Sequence, residues 1–337
     1  MENVETAPEM PKKGMTAEKK HKIKQLLINL TPVIGLVLLL VLYLIVGGIR
    51  GINFASGFEA IINQSIVVAI VATGAIFIFT LGSFDISLGA STLVSACAGA
   101  LVYMSTQNLF LMFLVCVLTA VACSLFSSVL GSVFNLPVFV TTVAMMSVLM
   151  AVAELLITSR GGNQLVASGA GAADSLWLKI LLLAIFAAIC IFVFSFMKTG
   201  RRQKFLGGNP VCAKLTGISL KKYAIIAFAL TGLGVGIAAF LTVLRAPTVT
   251  SGTAGDVGMS IFIAIVFGGM PISGGPRSRI YAAIIGSFTI TFLNQVLFFM
   301  LLGVAGADGI SQIVRAIFFL AMVYLASINY RTKNLPR

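Results

Sequence analysis

The feature that most constrains this chain is a series of apolar runs of about 20 residues with almost no charge. A helix of roughly that length crosses the hydrocarbon core of a bilayer, and it satisfies its own backbone hydrogen bonds in the absence of water. Apolar residues make up 59% of the 337 residues and charged residues only 10%, whereas a soluble domain has about 25% charged residues. The sequence therefore predicts an all-α, polytopic membrane protein.

The runs predict about ten transmembrane helices, some of them broken or re-entrant. The candidate spans are 32–49, 60–81, 86–105, 109–131, 138–158, 175–197, 223–245, 257–272, 278–302 and 311–328. The 33 glycines suit close helix packing and interrupted helices in a bilayer. We expect a cytoplasmic tail over 1–30, a transmembrane permease domain over 31–328 and a second cytoplasmic tail over 329–337.

The basic residues indicate the orientation of the chain. The formal net charge is +13, and Lys and Arg cluster at 12–24, in a central loop at 198–222 and at 331–337. Because cytoplasmic loops retain Lys and Arg, we expect the loop and both termini on the cytoplasmic side of a bacterial plasma (inner) membrane, and 159–174 and 245–256 outside. Membrane lipid is the expected environment, and no nucleic acid partner is expected.

The central loop contains the signals that begin and end a short helix. Asn209 can accept a hydrogen bond from the first free N–H groups, Pro210 suits the first helical position and Gly217 suits a left-handed terminating residue. The pattern predicts a helix of about two turns outside the bilayer. These residues fit either a surface helix with no function or a rigid helix on which a soluble motor domain docks.

Two glycine-containing segments, 82–89 and 268–275, are identical at four of eight aligned positions, and each lies between two apolar runs. Transporters are often built from such repeats, with irregular backbone at the interruption. Asp85 either serves a function inside the membrane or caps the helix that starts at Ile86, and the pattern favours the cap. The candidate structural breaks are Asp85, Gly89, Gly268, Gly269 and Gly275.

Several uncharged donors and acceptors lie in or beside the spans. Such groups match the hydroxyls of a neutral polar solute, although interhelical hydrogen bonding is the alternative for each residue. The candidate translocation-pathway residues are Asn63, Gln64, Asn294 and Gln295. The five cysteines and the single histidine, His21, indicate neither a metal site nor a bound cofactor.

Taken together, these motifs resemble the monosaccharide (ribose-type) permeases of binding-protein-dependent ABC importers. The similarity covers residues from about 33 to 327. One departure is Gly82-Ser83-Phe84, where the family usually has Gly-Gly-Ile or a similar sequence. The segments that carry the resemblance are Gly207–Ile218, Asp85–Gly89, Gly268-Gly269 with Gly274-Gly275, Phe292–Gln295 and Asn135–Pro137.

The resemblance implies a permease subunit that translocates a small polar solute, preferably a monosaccharide, by alternating access. It implies cytoplasmic ABC ATPase subunits, an extracytoplasmic solute-binding protein and a second permease chain as partners. The chain contains no Gly-x-x-x-x-Gly-Lys-Ser/Thr phosphate loop, so we expect ATP hydrolysis on a partner and no enzymatic activity here. The residues expected to couple the permease to the ATPase are Gly208, Asn209, Pro210, Ala213, Leu215 and Gly217.

Three alternatives follow from the same residues. Related permeases carry nucleosides or other small solutes, so the motifs identify the class more closely than the solute. A secondary transporter driven by an ion gradient would need buried acidic or histidine relay groups, and His21 lies in the N-terminal tail. A membrane enzyme would need a cluster of catalytic groups that the sequence does not indicate.

Overall fold

A computed structural model describes residues 14–51, 53–134, 136–253, 257–271 and 273–330. Asn135, Asp256 and Ile272, which belong to the segments discussed above, lie outside the described residues, as do the charged ends of the chain. Almost all of the described secondary structure is helical. The predicted all-α polytopic fold is therefore confirmed.

The described residues form twelve α-helices and two short strands. A single 3-10 turn, Ala170–Ala173, precedes α6. The helices are α1 (Gly14–Arg50), α2 (Phe54–Thr80), α3 (Leu88–Thr106), α4 (Leu109–Val133), α5 (Val138–Thr158), α6 (Leu176–Ser195), α7 (Lys198–Gly208), α8 (Pro210–Leu215), α9 (Leu220–Arg245), α10 (Val257–Phe267), α11 (Tyr281–Leu301) and α12 (Ala307–Tyr330).

Nine of the described helices are long and apolar enough to cross a membrane. The eighth predicted span, 257–272, is instead α10, which has 11 residues and a length of about 16 Å, roughly half of the hydrocarbon thickness. It ends before Gly268 and Gly269, and Gly269 adopts a left-handed conformation with a φ of +80°. The prediction that some helices are broken is therefore confirmed, with this break at the glycine pair.

The connections between helices lie on two sides of the molecule. The strand β1 (Leu165–Val166) pairs antiparallel with β2 (Thr248–Val249), so the connections that follow α5 and α9 meet on one side, which we call the ribbon side. The helices α7 and α8 lie at the opposite ends of α6 and α9, which we call the basic-loop side. The end of α1 at Arg50 and the start of α12 at Ala307 lie on the ribbon side. The start of α1 and the end of α12 therefore lie on the basic-loop side.

Close helix packing depends on a glycine stripe in α9. A Cβ added to Gly236 would lie 2.5 Å from the Cα of Val117 on α4, and one added to Gly234 would lie 3.0 Å from the carbonyl oxygen of Ile70 on α2. Small residues allow two backbones to approach, and the resulting van der Waals contact stabilises helix association where lipid removes the hydrophobic driving force. The stripe therefore places α9 between α2 and α4.

The helix α1 is attached to α2 and α11 by aromatic packing. The buried Tyr43 ring contacts Phe54 and Phe58 on α2 and Phe292 and Phe299 on α11, with ring centroids 5.2 to 6.1 Å apart. Edge-to-face pairs of this kind stabilise packing beyond the area that they bury. The remaining face of α1 is exposed along much of its apolar span.

We predict that Gly236→Ala lowers the free energy of unfolding by about 1–3 kcal/mol, because the added methyl group overlaps the α4 backbone. The matched control is Gly35→Ala on α1, where an added Cβ meets no atom within 4 Å. Thermal unfolding of the purified protein in detergent measures both variants. An equal change in the midpoint for the two variants would contradict the packing assignment.

Candidate functional site

A cavity of about 660 Å³ lies among α2, α9, α10, α11 and α12. Its lining extends to Arg245 and Val304, at the ribbon side. Cavities of roughly 300–1,000 Å³ hold small-molecule ligands. Deeper in the cavity, the polar lining residues are Gln64, Thr242, Ser260, Asn294 and Gln295.

Asn294 contributes an available hydrogen-bond acceptor. Its side-chain oxygen is buried and has no partner among the described residues. Buried polar atoms in native proteins are nearly always hydrogen-bonded, so an unpaired acceptor beside a cavity indicates a ligand or water position. Gln295 is the next residue of α11 and also lines the cavity.

Charged residues line both the opening and the inner end of the cavity, and amides and hydroxyls lie between them. Arg245 and Asp308 are exposed at the ribbon side, and Arg315 is half-buried one turn further along α12 than Ser311. The Arg315 Nε donates a hydrogen bond to the Ser311 carbonyl oxygen at 3.3 Å. The cavity therefore presents neutral polar groups between the charged groups at its opening and Arg315 at its inner end.

The neighbouring predicted residues Asn63 and Gln64 have different surroundings. Gln64 lines the cavity, whereas the Asn63 side-chain oxygen accepts a hydrogen bond from Lys179 Nζ at 2.8 Å. Lys179 is 1% exposed and forms an ion pair with Asp174 at 2.5 Å. Asn63 therefore joins α2 to α6 at a buried charge, while Gln64 is available to a solute.

The short helix α8 begins and ends at the predicted residues. The Asn209 side chain accepts a hydrogen bond from the Cys212 N–H at 3.0 Å, Pro210 occupies the first position, and Gly217 has a φ of +78°. Ala213 is fully buried against Leu206 and Tyr223, so it attaches α8 to α7 and α9. A partner protein cannot reach Ala213 in this arrangement.

Two apolar side chains project from α8 instead. Val211 is 70% exposed and Leu215 is 83% exposed. Residues four apart lie on the same face of a helix, so the pair forms one apolar surface. The sequence analysis did not identify Val211, although its spacing from Leu215 within a polar loop is a signal that could have found it.

The helix α7, which the sequence analysis did not predict, connects α8 to the breaks in the membrane domain. A Cβ added to Gly207 would lie 1.8 Å from the Thr80 carbonyl oxygen and 2.9 Å from the Gly275 nitrogen. The Gly275 N–H donates a hydrogen bond to the same Thr80 carbonyl oxygen at 2.9 Å. We call Thr80, Gly82, Gly207, Gly274 and Gly275 the glycine junction.

The two similar glycine segments contact each other at this junction. A Cβ added to Gly274 would lie 2.7 Å from the Gly82 nitrogen, and one added to Gly82 would lie 3.0 Å from the Ser273 carbonyl oxygen. Both Gly82 and Gly274 have positive φ values, of +74° and +68°. Gly268 and Gly269 lie at the start of the second segment, where a Cβ on Gly268 would overlap the Ala282 carbonyl group of α11.

Asp85 lies in the connection between α2 and α3, and its contacts are local. One carboxylate oxygen accepts hydrogen bonds from the Ser87 backbone N–H at 2.8 Å and from the Ser87 hydroxyl at 2.6 Å. These contacts are those of a residue that shapes the start of α3. Gly89 follows, with its nitrogen next to Gly258 of α10.

The fold and the cavity together define a class of protein. Multiple apolar helices, interrupted backbone buried inside the bundle and a polar-lined cavity that opens to one side are the features of a membrane permease.

Comparisons with known proteins specify the family. Residues 57–327 match the family described as the permease component of branched-chain amino acid transport systems. The chain belongs to this family of transport permeases, which confirms the class predicted from its motifs.

Curated relatives include the ribose import permease of Escherichia coli, 26% identical over 86% of this chain and 91% of the relative. The ribose import permease of Haemophilus influenzae is 23% identical over 70% of this chain and 76% of its own length. The fructose import permease of Bifidobacterium longum is 26% identical over 73% of this chain and 71% of its own length. No solved structure matches the chain.

We predict different effects for substitutions at the neighbouring α2 residues. Asn63→Leu removes an acceptor from buried Lys179 and should lower the free energy of unfolding by about 1–3 kcal/mol. Gln64→Leu leaves that ion pair unchanged and should alter the free energy by about 0.5 kcal/mol or less. Thermal unfolding in detergent distinguishes the two, and a larger loss for Gln64→Leu would contradict the assignments.

Proposed function

We propose that this chain is the permease subunit of an ABC importer that translocates a monosaccharide. The observation that carries the proposal is the cavity, whose interior presents the amide groups of Gln64, Asn294 and Gln295 and the hydroxyl groups of Thr242 and Ser260. These groups match sugar hydroxyls as donors and acceptors without requiring a charged solute. The names of the ribose and fructose import permeases support the same solute class.

In this proposal, energy comes from ATPase subunits that dock on the basic-loop side. The motif of a phosphate loop is absent from the 337 residues. The exposed Val211 and Leu215 provide an apolar contact of the kind that anchors a protein interface. The capped helix α8 is rigid and is attached through Ala213, so force on it is transmitted to α7 and α9.

The proposed orientation places the basic-loop side in the cytoplasm. Seven basic residues lie within 198–222, and no acidic residue occurs from 175 to 255. Such an excess of Lys and Arg in a short loop is retained on the cytoplasmic side. The ribbon side would then face an extracytoplasmic solute-binding protein, both termini would be cytoplasmic, and a second permease chain would complete the importer.

Reconstitution tests the function directly. Proteoliposomes that contain the permease, its ATPase and its binding protein should accumulate radiolabelled sugar only when ATP is present on the basic-loop side. Omission of the ATPase should abolish uptake. Accumulation by the permease alone under an ion gradient would overturn the proposal in favour of a secondary transporter, and uptake of a nucleoside in preference to sugars would overturn the solute class.

We predict that Leu215→Asp reduces sugar uptake at least tenfold, since it places a charge in the proposed apolar contact, where such anchors contribute roughly 1.4 kcal/mol or more. Leu215→Met is the matched control and should retain uptake. Protein abundance and the unfolding midpoint should be unchanged in both variants because Leu215 is exposed. Normal uptake by Leu215→Asp would remove α8 as the docking helix.

A further inference from the structure

Five phenylalanine rings form a connected group on the basic-loop side of the cavity. The Phe262 ring lies 5.2 Å from Phe319, 5.3 Å from Phe84 and 5.6 Å from Phe79, measured between ring centroids. Phe84 also lies 5.6 Å from Phe139. We call these five residues the aromatic cluster, and they connect α2, the 81–87 bend, α5, α10 and α12.

The cluster lies where the cavity ends. Ser260 on α10 and Arg315 on α12 are the cavity-lining residues nearest to the basic-loop side on their helices. Phe262 and Phe319 follow them along the same two helices, and their rings are in contact. Apolar side chains that meet across a polar pathway exclude water and polar solutes, which is how hydrophobic constrictions close channels.

The surroundings of the cluster differ from those of a permanent core. Phe84, Phe262 and Phe319 are only partly buried, whereas Tyr43, at the centre of the aromatic packing of α1, is fully buried. Two of the cluster residues also lie on interrupted segments: Phe84 is in the bend that follows Gly82, and Phe262 is on α10, which ends before Gly268 and Gly269. Left-handed glycines at these points are suitable hinge positions.

The cluster is also connected to the proposed docking helix. The helix α8 follows α7 directly, and Gly207 of α7 adjoins Thr80 and Gly275 in the glycine junction. Phe84 lies four residues beyond Thr80 in the same connection. A displacement of α7 would therefore act on the segment that holds the Phe84 ring against Phe262.

We infer that the aromatic cluster is the closed gate of the translocation pathway on the basic-loop side, and that the glycine junction transmits the movement that opens it. This inference rests on the proposed transport function. It assigns a role to Phe84, the residue at which this chain departs from the pattern of its family, and it makes Phe262 the central residue of the gate because that ring contacts three others.

A passive leak measurement tests the closed gate. Vesicles reconstituted with Phe262→Ala, without any ATPase, should release trapped radiolabelled D-ribose at least tenfold faster than vesicles with the unsubstituted chain. Phe113→Ala is the matched control, because its ring packs on Phe240 at 5.2 Å between α4 and α9, and neither residue belongs to the aromatic cluster. Equal release from the Phe262→Ala and unsubstituted vesicles would overturn the inference.

A cross-linking measurement tests the opening of the gate. The double variant Phe84→Cys/Phe262→Cys is made in a Cys212→Ser background, because Cys212 is exposed. Without cross-linking this variant should leak, because it lacks two rings of the cluster. Cross-linking with a short reducible thiol reagent should suppress that leak and abolish ATP-driven uptake by the complete importer, and reduction should restore the leak. The control pair, Phe113→Cys/Phe240→Cys, should remain active after cross-linking.

The outcomes separate this inference from the proposed function. If the unsubstituted importer shows no ATP-driven uptake, the proposed function itself is wrong. If that importer transports and the cross-linked Phe84→Cys/Phe262→Cys variant transports at the same rate, the gate assignment alone is wrong.

Discussion

The structure depends on one constraint: inside a membrane, every backbone N–H and C=O group must find a partner within the protein. Continuous helices meet this requirement, and the two interrupted segments meet it by contacting each other. The Gly275 N–H donates to the Thr80 carbonyl, and the Gly82 N–H donates to the Phe79 carbonyl at 2.9 Å. Glycines permit both the left-handed conformations and the close approach. The breaks are therefore stable inside the bundle and need no contact with lipid.

The same breaks arrange the functional features along one route. The polar cavity opens on the ribbon side, the aromatic cluster lies further towards the basic-loop side along α10 and α12, and the glycine junction lies between that cluster and α8. The rigid helices around α9 hold this arrangement, because their glycine stripe brings three backbones together. The helices are interrupted at left-handed glycines, which are suitable positions for the hinge movements of a transport cycle.

Much of the architecture was predictable because its signals are local. Apolar runs located the spans, and Asn209, Pro210 and Gly217 located a helix of six residues in a loop. The helix α7 was missed because its basic residues hide an amphipathic pattern, in which Gly200, Gln203 and Leu206 are buried. Two features could not be predicted in this way. The span predicted at 257–272 is a shorter helix, and the neighbours Asn63 and Gln64 have different contacts, because neither helix length nor side-chain partner follows from composition alone.

The amino-acid sequence by itself determined that the chain lies in lipid, that its fold is helical and where its helices are interrupted. Hydropathy, capping and glycine conformation act over a few neighbouring residues, so their effects can be predicted locally. Only the tertiary structure decided which breaks meet, that Ala213 is buried while Leu215 projects, and that phenylalanines from five separate segments come into contact. Those features depend on which helices pack together, and that arrangement arises from many weak contacts between segments far apart along the chain.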